Sequence, residues 1–599
     1  MINTNYDELS SFYNDESKIK NDFNFDEINL SDKERLSDPI FKSIGYPSKI
    51  FYKTIQKFIN AYTKEGGIVI DTCSGSGSTG LAALFEGRKA ILVDSSPHAV
   101  NMAYNTINYV DLTKLEQVYQ QMLAELEEEI NDIYFTKTSD NLNGYADVII
   151  ASNVYTCPDC NSEIVLYKNE TGKRSEYKCK ECGCIINISK KEIKDRQVDK
   201  RRPIEVTVRY KDSKGKLKKD VKPITNEDIQ LWQEKFDYYN NLYGHYWQPS
   251  EKIIYNRCYP RKGGWPGFPI DSTVSDLFPP KNLLALKIIN NWIETKIVDK
   301  DIKDFMKFIF TESLFRTSSR LFTASGIKNV YHIPPVGKEQ NVLTVFKRKY
   351  RDIVKGKEYL LNHLTKEQIH SSIRIINGNA QAIGVKSNSI DYALIDPPYG
   401  GMVPYAELNL FYSAWLNQKE DLENEIVIPM DFEKKDGYVE LWGEYIEKAF
   451  GEIYRVLRPG AHFTIVFHST YNNIWNELKD IMLNRLGFEF VNIIENERGT
   501  TFHTNQLNDT NPVSAFITYR KPEKDRTKLI SNNISINIFE IFNKMYSNEE
   551  MTFREIQSKI IMLAHENNID YIPSDKEIKE WLDINALFNQ NKYIIKSYE

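Results

Sequence analysis

Residues 67–94 read GIVIDTCSGSGSTGLAALFEGRKAILVD, and this stretch decides the fold. Its apolar, β-branched start at 68–70 predicts a buried strand, the glycine and serine residues of 72–80 predict a tight turn, and LAALF predicts a helix that ends at Gly87. Residues 89–94 predict a second strand. Because strand, helix and strand in this order are typical of a βαβ unit, we expect a doubly wound α/β fold with a parallel sheet.

The same alternation returns late in the chain, after a long interruption. Strand patterns recur at 373–376 and 392–395, and a helix that ends before Pro459 is followed by the strand pattern HFTIVF. We therefore expect one α/β sheet interrupted by a large α+β insertion and followed by a small C-terminal helical module. The expected regions are an N-terminal arm (1–37), a first part of the sheet domain (38–112), the insertion (113–370), a second part (371–522) and the module (523–599).

The composition is that of a soluble globular protein. Of its 599 residues, 27% are charged and 41% are hydrophobic, and the net charge is −6. No apolar run approaches the ~20 residues that a bilayer-spanning helix needs, and the N-terminus has no basic and apolar leader of the secretory kind. These features predict a cytoplasmic protein without a membrane partner.

Acidic residues follow both strands of the opening unit. Ligands of open parallel sheets bind beyond the carboxyl ends of the strands, which is where Asp71 and Asp94 are expected. Gly75 and Gly77 between them would let the backbone approach a ligand closely, and Asp94 is placed for the two hydroxyls of a ribose. Asp71 would repel a pyrophosphate but suits a cation, such as the ammonium of a methionine moiety. A purely structural turn is the alternative for this loop.

A third acid follows the later strand at 392–395, in the tetrad Asp396-Pro397-Pro398-Tyr399. Prolines fix φ and lack an N–H, so the segment is held open and its carbonyls are free to accept hydrogen bonds. Asp396 and the carbonyl of Pro397 then present two acceptors beside the flat ring of Tyr399. This arrangement suits an aromatic exocyclic amine that attacks a methyl group. The alternative is a turn with a helix-capping acid.

The motifs DTCSGSGST and DPPY resemble the two signatures of the S-adenosylmethionine-dependent amino-methyltransferases of DNA, in the order loop, long recognition region, tetrad. GMVPYAELNLFYSAWL resembles the continuation after DPPY in a bacterial DNA methylase subgroup that also carries a cysteine pair insertion. The resemblance implies a Rossmann-like class I methyltransferase sheet and S-adenosylmethionine as cofactor. It implies that Asp396, Pro397, Pro398 and Tyr399 are catalytic, and that the cofactor is bound by Lys49, Asp71, Cys73, Gly75, Gly77, Asp94, Asn379 and Asp396.

The resemblance also implies a substrate. Within this family an aspartate in the tetrad goes mostly with adenine N6 and a serine with cytosine N4, so adenine N6 in double-stranded DNA is expected. Because bases are buried in the duplex, the adenine would be flipped out and stacked on Tyr399. Asn379 stands where the commoner form has an aspartate that contacts the cofactor's adenine. The implied setting is a bacterial, nucleoid-associated enzyme of DNA modification or anti-phage defence, and whether restriction or defence-system proteins accompany it stays open.

Five of the seven cysteines lie between residues 157 and 184. Cys157 and Cys160 form one C-x2-C pair, and Cys179 and Cys182 form another eighteen residues later. In a reducing compartment such clustering favours a metal over disulfides, and four thiolates close a structural tetrahedral zinc site. We therefore expect a zinc ribbon at about 153–187, in which Cys184 is the alternative to Cys182.

Residues 190–223 hold fourteen Lys or Arg residues and six Asp or Glu residues, a local excess of eight positive charges. A solvated hairpin and a phosphate-contacting face are both consistent with this run. A second basic stretch at 346–357 has the same two interpretations.

Three other functions remain open. DNA methyltransferases of cytosine N4 share the tetrad position, and RNA methyltransferases of guanine N2 also carry DPPYG. The RNA enzymes usually place an RNA-binding domain before the glycine loop, whereas this chain places its long segment between loop and tetrad. The third alternative is a catalytically inactive nucleic-acid-binding subunit that keeps the fold.

Overall fold

A computed structural model describes residues 5–20, 35, 37–46, 49–173, 175–254, 271–319, 333–398, 405–427, 438–469, 472–495, 513–524, 537–569, 571–589 and 592–597. Their helices are α1 (Pro39–Ser43), α2 (Tyr52–Tyr62), α3 (Ser78–Phe85), α4 (Pro97–Ile107), α5 (Leu112–Ile133), α6 (Lys191–Lys194), α7 (Asn226–Tyr243), α8 (Pro280–Lys296), α9 (Lys300–Thr317), α10 (Val342–Leu361), α11 (Lys366–Ser372), α12 (Tyr405–Ser413), α13 (Tyr438–Val456), α14 (Asn472–Asp480), α15 (Ile538–Tyr546), α16 (Phe553–Glu566) and α17 (Asp575–Asn585). Their strands are β1 (Ile68–Asp71), β2 (Lys89–Asp94), β3 (Phe135–Lys137), β4 (Asn143–Thr156), β5 (Glu163–Val165), β6 (Glu176–Lys178), β7 (Ile185–Asn187), β8 (Gln197–Lys211), β9 (Leu217–Pro223), β10 (Val336–Gln340), β11 (Ile373–Asn377), β12 (Ile390–Ile395), β13 (Leu457–Ser469), β14 (Glu489–Glu495), β15 (Val513–Arg520), β16 (Glu550–Met551), β17 (Ala586–Asn589) and β18 (Lys592–Ile595).

The central sheet has seven strands in the order β11, β2, β1, β12, β13, β15, β14. Neighbouring strands are parallel except at β15, which runs antiparallel to both β13 and β14. On one side of β1 the sheet continues with β2 and then β11, and on the other side it continues with β12 and then β13. The interval between β1 and β12 is therefore the switch point, where open parallel sheets bind ligands. The prediction of an α/β fold with a parallel-rich sheet is confirmed.

The central strands are buried on both faces. Side chains alternate along each strand, so Val69 and Leu394 face one hydrophobic core while Ile70 and Ile395 face another. The first core also contains residues of the insertion, and the second contains α13, α14 and the C-terminal module. Strands covered on both faces are apolar throughout, which is why IVID and YALI were recognisable as strands.

The region between α4 and α10 forms its own antiparallel sheet, in the order β10, β4, β8, β9, with β3 and β5 also paired to β4. Helices α8 and α9 pack in the same hydrophobic core as one face of the central sheet. The side-chain amide of Asn282 in α8 donates to the carbonyls of Thr317 (2.7 Å) and Gln340 (3.0 Å). This amide ties α8 to the end of α9 and to β10.

The described part of the N-terminal arm, residues 5–20, packs on the central sheet. Leu9 and Phe12 are buried in the core of the central sheet. The N–H of Lys18 donates to the Asp391 carboxylate at 2.8 Å, and Ile19 pairs with Thr63. The polar composition of the segment obscured its apolar anchors, which become visible only once the sheet that buries them is known.

The C-terminal module contains more strand than expected. It consists of α15, β16, α16, α17, β17 and β18, and its strands pair in the order β16, β18, β17. Ile560 and Leu563 of α16 lie in the core beside β14 and β15. The module therefore packs directly on the antiparallel edge of the central sheet.

Among the residues that the structure describes, no helix is both long enough and apolar enough to cross a membrane.

Candidate functional site

A cavity of about 120 Å³ lies at the carboxyl edge of the central sheet, at the switch point. Asp71 ends β1, Asp94 ends β2, and Asp396 follows β12 directly. Three neighbouring strands thus bring three carboxyl groups to one cavity from distant parts of the chain. The predicted site residues that line it are Lys49, Asp71, Cys73, Gly75, Asp94, Asp396 and Pro398.

Both oxygens of Asp71 are held by its own loop. Oδ1 accepts the N–H of Cys73 at 3.0 Å, and Oδ2 accepts the hydroxyl of Thr79 at 2.6 Å. Burial raises the pKa of Asp71 to about 7, although both hydrogen bonds act to lower it. A cation bound in the cavity would favour the ionised carboxylate, since opposite charges stabilise each other.

Gly75 and Gly77 adopt positive φ angles of 47° and 81°, which favour glycine. A Cβ at Gly75 would lie 2.9 Å from Cε1 of Tyr46, and a Cβ at Gly77 would lie 3.0 Å from Cβ of Ala103. Gly75 therefore lets the loop pass close to Tyr46 at the cavity wall. Gly77 lies outside the cavity lining and lets α3 begin against α4, so its role in cofactor binding stays a prediction.

Asp94 joins the tip of β2 to the glycine loop. Its Oδ2 accepts the N–H of Gly75 at 2.8 Å, and its Oδ1 accepts the N–H of Ser96 at 3.0 Å. Burial raises the pKa of Asp94 to about 6, and the nearby Glu425 carboxylate raises it further. The strand end and the loop are thus fixed relative to each other.

A polar network on another wall of the cavity was missed by sequence reasoning. The hydroxyl of Ser96 donates to Glu420 at 3.1 Å and accepts the side-chain amide of Asn409 at 2.9 Å. The hydroxyl of Ser413 also donates to Glu420. Burial raises the pKa of Glu420 to about 8, and the Asp94 carboxylate contributes to the rise. Ser96 and Glu420 are 324 positions apart, so no local spacing could have linked them.

The proline tetrad is anchored by a buried tryptophan. The indole N–H of Trp442 in α13 donates to the carbonyl of Pro398 at 3.2 Å, and Trp442 is fully buried. Asp396 lies near Cys73, whose pKa is raised chiefly by burial and also by the charges of Asp71, Asp94 and Asp396. Pro397 is buried.

Tyr399 lies outside the described residues, so its stacking role stays a prediction. Trp442 was not identified from the sequence, because nothing in its helix pattern distinguishes it from an ordinary core residue.

Lys49 lines the cavity but directs its ammonium elsewhere. It donates to the carbonyls of Phe41 and Ile44, and it lies 4.1 Å from the centre of the Phe41 ring. Burial lowers the pKa of Lys49 to about 8. The lysine thus fixes the turn after α1, and its predicted contact with a cofactor stays a prediction; Pro47 and Ser48 beside it lie outside the described residues.

The turn after β11 approaches β2, but Asn379 does not line the cavity. The N–H of Gly378 donates to the carbonyl of Asp94 at 3.0 Å, and Ala380 lines the cavity. The Asn379 side chain accepts the N–H of Gln381 at 2.8 Å. Its amide therefore stabilises the turn itself, and its contact with a cofactor adenine stays a prediction.

The four cysteines of the two C-x2-C pairs meet in space. Their sulfur atoms all lie within 4.8 Å of one another, with Cys157 and Cys182 3.5 Å apart and Cys160 and Cys179 3.7 Å apart. A tetrahedron with Zn–S bonds of about 2.3 Å has edges of about 3.8 Å, so these residues fit Zn²⁺. Cys184 is not part of the group; its carbonyl accepts the N–H of Cys179 at 2.8 Å.

The match to known families covers the first part of the chain. A family model described as DNA methylase matches residues 2–105, which include the N-terminal segment, the glycine loop and Asp94. No curated protein matches the chain in sequence.

Several solved structures show remote similarity. They include a SAM-dependent methyltransferase from Methanosarcina mazei (13% identity, 25% of this chain and 68% of that chain, TM-score 0.14) and a proposed DNA modification methylase from Thermus thermophilus (16%, 28% and 62%, TM-score 0.14). A SAM-dependent O-methyltransferase from Thermotoga maritima is 13% identical over 64% of this chain and 95% of that chain, with a TM-score of 0.14. The chain spans less than two thirds of the Thermus protein. The family match thus supports a DNA methylase for the segment that carries the glycine loop. It does not extend to the remaining chain.

Proposed function

We propose that this protein is an S-adenosylmethionine-dependent DNA methyltransferase that methylates the N6 amine of a flipped adenine. The observation that carries the proposal is the single cavity at the switch point, into which β1, β2 and β12 bring Asp71, Asp94 and Asp396. The strand order is compatible with a Rossmann-like class I methyltransferase sheet. The match of residues 2–105 to a DNA methylase family supports the same activity.

The cavity residues fit S-adenosylmethionine, which when bound supplies an electrophilic methyl group on a sulfonium. Buried acids with raised pKa values are stabilised by a cation, and Asp71 would bind the ammonium of the methionine moiety. Asp94 would accept hydrogen bonds from the two ribose hydroxyls. Gly75 keeps the loop free of a Cβ where the ligand approaches.

The tetrad would hold the target amine. Asp396 and the carbonyl of Pro397 would each accept one hydrogen of the exocyclic NH2, which concentrates the nitrogen lone pair towards the methyl group. Asp396 would also offset the positive charge that develops on the amine. Trp442 fixes the tetrad through Pro398, and Tyr399 would stack on the flipped base.

Adenine N6 is proposed over cytosine N4 because the tetrad begins with an aspartate. The DNA methylase match favours DNA over an RNA guanine as substrate. An inactive binding subunit is disfavoured because the site retains Asp71, Asp94 and Asp396 around one cavity.

We further propose that Cys157, Cys160, Cys179 and Cys182 hold one structural Zn²⁺, since four thiolates leave no open position for catalysis. The proposed setting is the bacterial cytoplasm and nucleoid, where the enzyme would modify host DNA or act in anti-phage defence beside restriction proteins.

The decisive experiment is Asp396→Ala. Loss of the acceptor and of the charge that offsets the developing positive amine should lower methyl transfer by about 10²-fold or more. Methylation-sensitive sequencing of DNA from cells that express the wild type or the variant measures this directly. Asp583→Ala, which removes an exposed acid of the C-terminal module, is the matched control and should methylate normally. Absence of any modified adenine motif with the wild type would refute the proposal.

A further inference from the structure

We propose that the tip of the β8–β9 hairpin, residues 211–218, is the surface through which the inserted region contacts the phosphate backbone of double-stranded DNA. The identity of this partner rests on the proposed function. The hairpin belongs to the basic segment 190–223, and nine of the fourteen basic residues of that segment fall into two groups. The other five, Lys190, Lys191, Lys194, Arg196 and Lys200, are exposed and lie outside the hairpin tip.

The first group is neutralised within the protein. Arg201 pairs with Glu339 at 3.0 Å and Arg202 with Glu163 at 2.7 Å. The other members of this group lie within the paired strands of the hairpin: Arg209 pairs with Asp147 at 2.7 Å, Lys219 lies 3.8 Å from the same carboxylate, and Lys222 pairs with Asp228 at 2.8 Å. These arginine and lysine side chains stabilise the antiparallel sheet.

The second group is exposed at the tip. Lys211, Lys214, Lys216 and Lys218 are all exposed, and none forms an ion pair with any residue that the structure describes. The last strand pair, Lys211 with Leu217, lies beyond the ladder between β4 and β8, which ends at Gly144 and Tyr210. Lys214 and Lys216 therefore lie in the turn beyond the end of that ladder, with Lys211 and Lys218 on the two strands that flank it.

The tip is a turn held by hydrogen bonds. The Asp212 carboxylate accepts the N–H groups of Lys214 (3.0 Å) and Lys216 (2.9 Å), and its carbonyl accepts the N–H of Gly215 at 2.8 Å. Gly215 has a φ of 73°, which glycine adopts without strain. The one acid of the tip is thus engaged with the backbone, and it fixes the main chain at Lys214 and Lys216.

The second basic stretch, 346–357, provides a contrast. It forms part of α10, where Lys347 pairs with Glu127 at 2.5 Å and Lys349 with Glu312 at 3.0 Å. Lys357 is buried and donates to two backbone carbonyls of the α4 end at 2.6 and 2.8 Å. Most of the positive charge of this stretch is paired within the protein. The two basic stretches therefore look alike in sequence but differ in how much unpaired charge they present to a polyanion.

Shape favours DNA over RNA as the partner. The major groove of B-DNA is about 12 Å wide and admits a two-stranded β-ribbon, whereas the major groove of A-form RNA is deep and narrow. A hairpin with lysines on a rigid tip therefore fits the edge of a DNA groove, where it would contact phosphates without reading bases.

The test is the triple substitution Lys214→Gln, Lys216→Gln and Lys218→Gln, which removes charge and keeps most of each side chain. The control carries Lys524→Gln, Lys544→Gln and Lys576→Gln, three exposed lysines outside both basic stretches. Binding of a fluorescent DNA duplex of about 40 bp, long enough to span several helical turns, is measured by anisotropy over a salt series, with melting curves to confirm the fold. Each lost phosphate contact reduces the slope of log K against log salt by about 0.9, so the hairpin variant should lose about 3 in slope and bind at least tenfold more weakly, while the control matches the wild type.

Three results would overturn the inference. The first is a hairpin variant whose salt slope equals that of the wild type, and the second is a wild type that binds no duplex. The third is hairpin-dependent binding that prefers an RNA duplex of equal length, which would assign the tip to RNA. If the wild type binds DNA through the hairpin but transfers no methyl group, the hairpin inference holds and the proposed methyltransferase function fails.

Discussion

Three acidic side chains at the cavity have pKa values raised by burial, about 7 for Asp71, 6 for Asp94 and 8 for Glu420. Each is hydrogen-bonded by neighbours that favour the ionised form, yet burial outweighs these bonds. In the folded protein Asp71 binds a proton more tightly than in the unfolded chain, so its contribution to stability is present at low pH and is lost as pH rises from about 4 to 7. A bound cationic ligand instead favours the ionised form of these acids, because it stabilises the carboxylates.

Affinity for S-adenosylmethionine should therefore rise with pH between about 5.5 and 7, as bound protons are released. The affinity changes by at most about tenfold per pH unit for each proton released. This pH range lies below the pH at which the cofactor's own amino group deprotonates. Isothermal titration at several pH values measures it. Asp71→Asn, which keeps the shape and one of the two acceptor oxygens, should bind more weakly at pH 7 and show a smaller pH dependence. An affinity that is constant over this range in the wild type would contradict the assignment of these acids to a cationic ligand.

Among the elements, the two cysteine knuckles are built alike. The N–H of Asn161 donates to the carbonyl of Cys157, and that of Gly183 donates to the carbonyl of Cys179, each at 3.1 Å. Asn161 and Gly183 both have positive φ angles, 58° and 80°, so each chain turns immediately after its second cysteine. The equivalence of these turns explains why Cys182, rather than Cys184, lies with the other three sulfur atoms.

Cys182→Ser should therefore abolish binding of the zinc ion. Removal of one of four thiolates opens the tetrahedral site, and loss of the metal removes folding free energy from a segment with a small core. Zinc content of the purified protein, measured by mass spectrometry, checks this. Cys184→Ser is the matched control and should retain one equivalent of zinc. Equal zinc contents in the two variants would show that the four-cysteine group is not the ligand set.

The molecule as a whole is held together across the central sheet. One face lies in a hydrophobic core that also contains residues of the inserted region, the other packs against α13, α14 and the C-terminal module, and the N-terminal segment joins the second face through Leu9 and Phe12. The carbonyl of Phe12 accepts the ammonium of Lys89 at 3.0 Å, and Arg374 lies 4.7 Å from its ring centre. The segment thus stabilises β2 and β11, the strands whose far ends reach the candidate site.

Phe12→Ala should lower the free energy of unfolding by about 3 kcal/mol, since truncation of a buried phenylalanine leaves a cavity. Chemical denaturation of the purified protein measures the loss. Ser11→Ala, at an exposed neighbouring position, should change stability by about 0.5 kcal/mol or less. If both variants were as stable as the wild type, the segment would not belong to the folded core.

The sequence by itself determined the elements whose signals are local. The strands IVID and YALI, the glycine turn, the acids that end β1 and β2, and the cysteine spacing could all be read without coordinates, because side-chain periodicity, backbone conformation and ligand spacing depend on near neighbours. Tertiary structure alone decided which distant groups meet. It brought Glu420 to Ser96, Trp442 to Pro398 and the N-terminal segment to the sheet, and it separated the free lysines of one basic stretch from the paired lysines of another. Burial and pairing depend on contacts between residues far apart in the sequence, and only the folded chain defines those contacts.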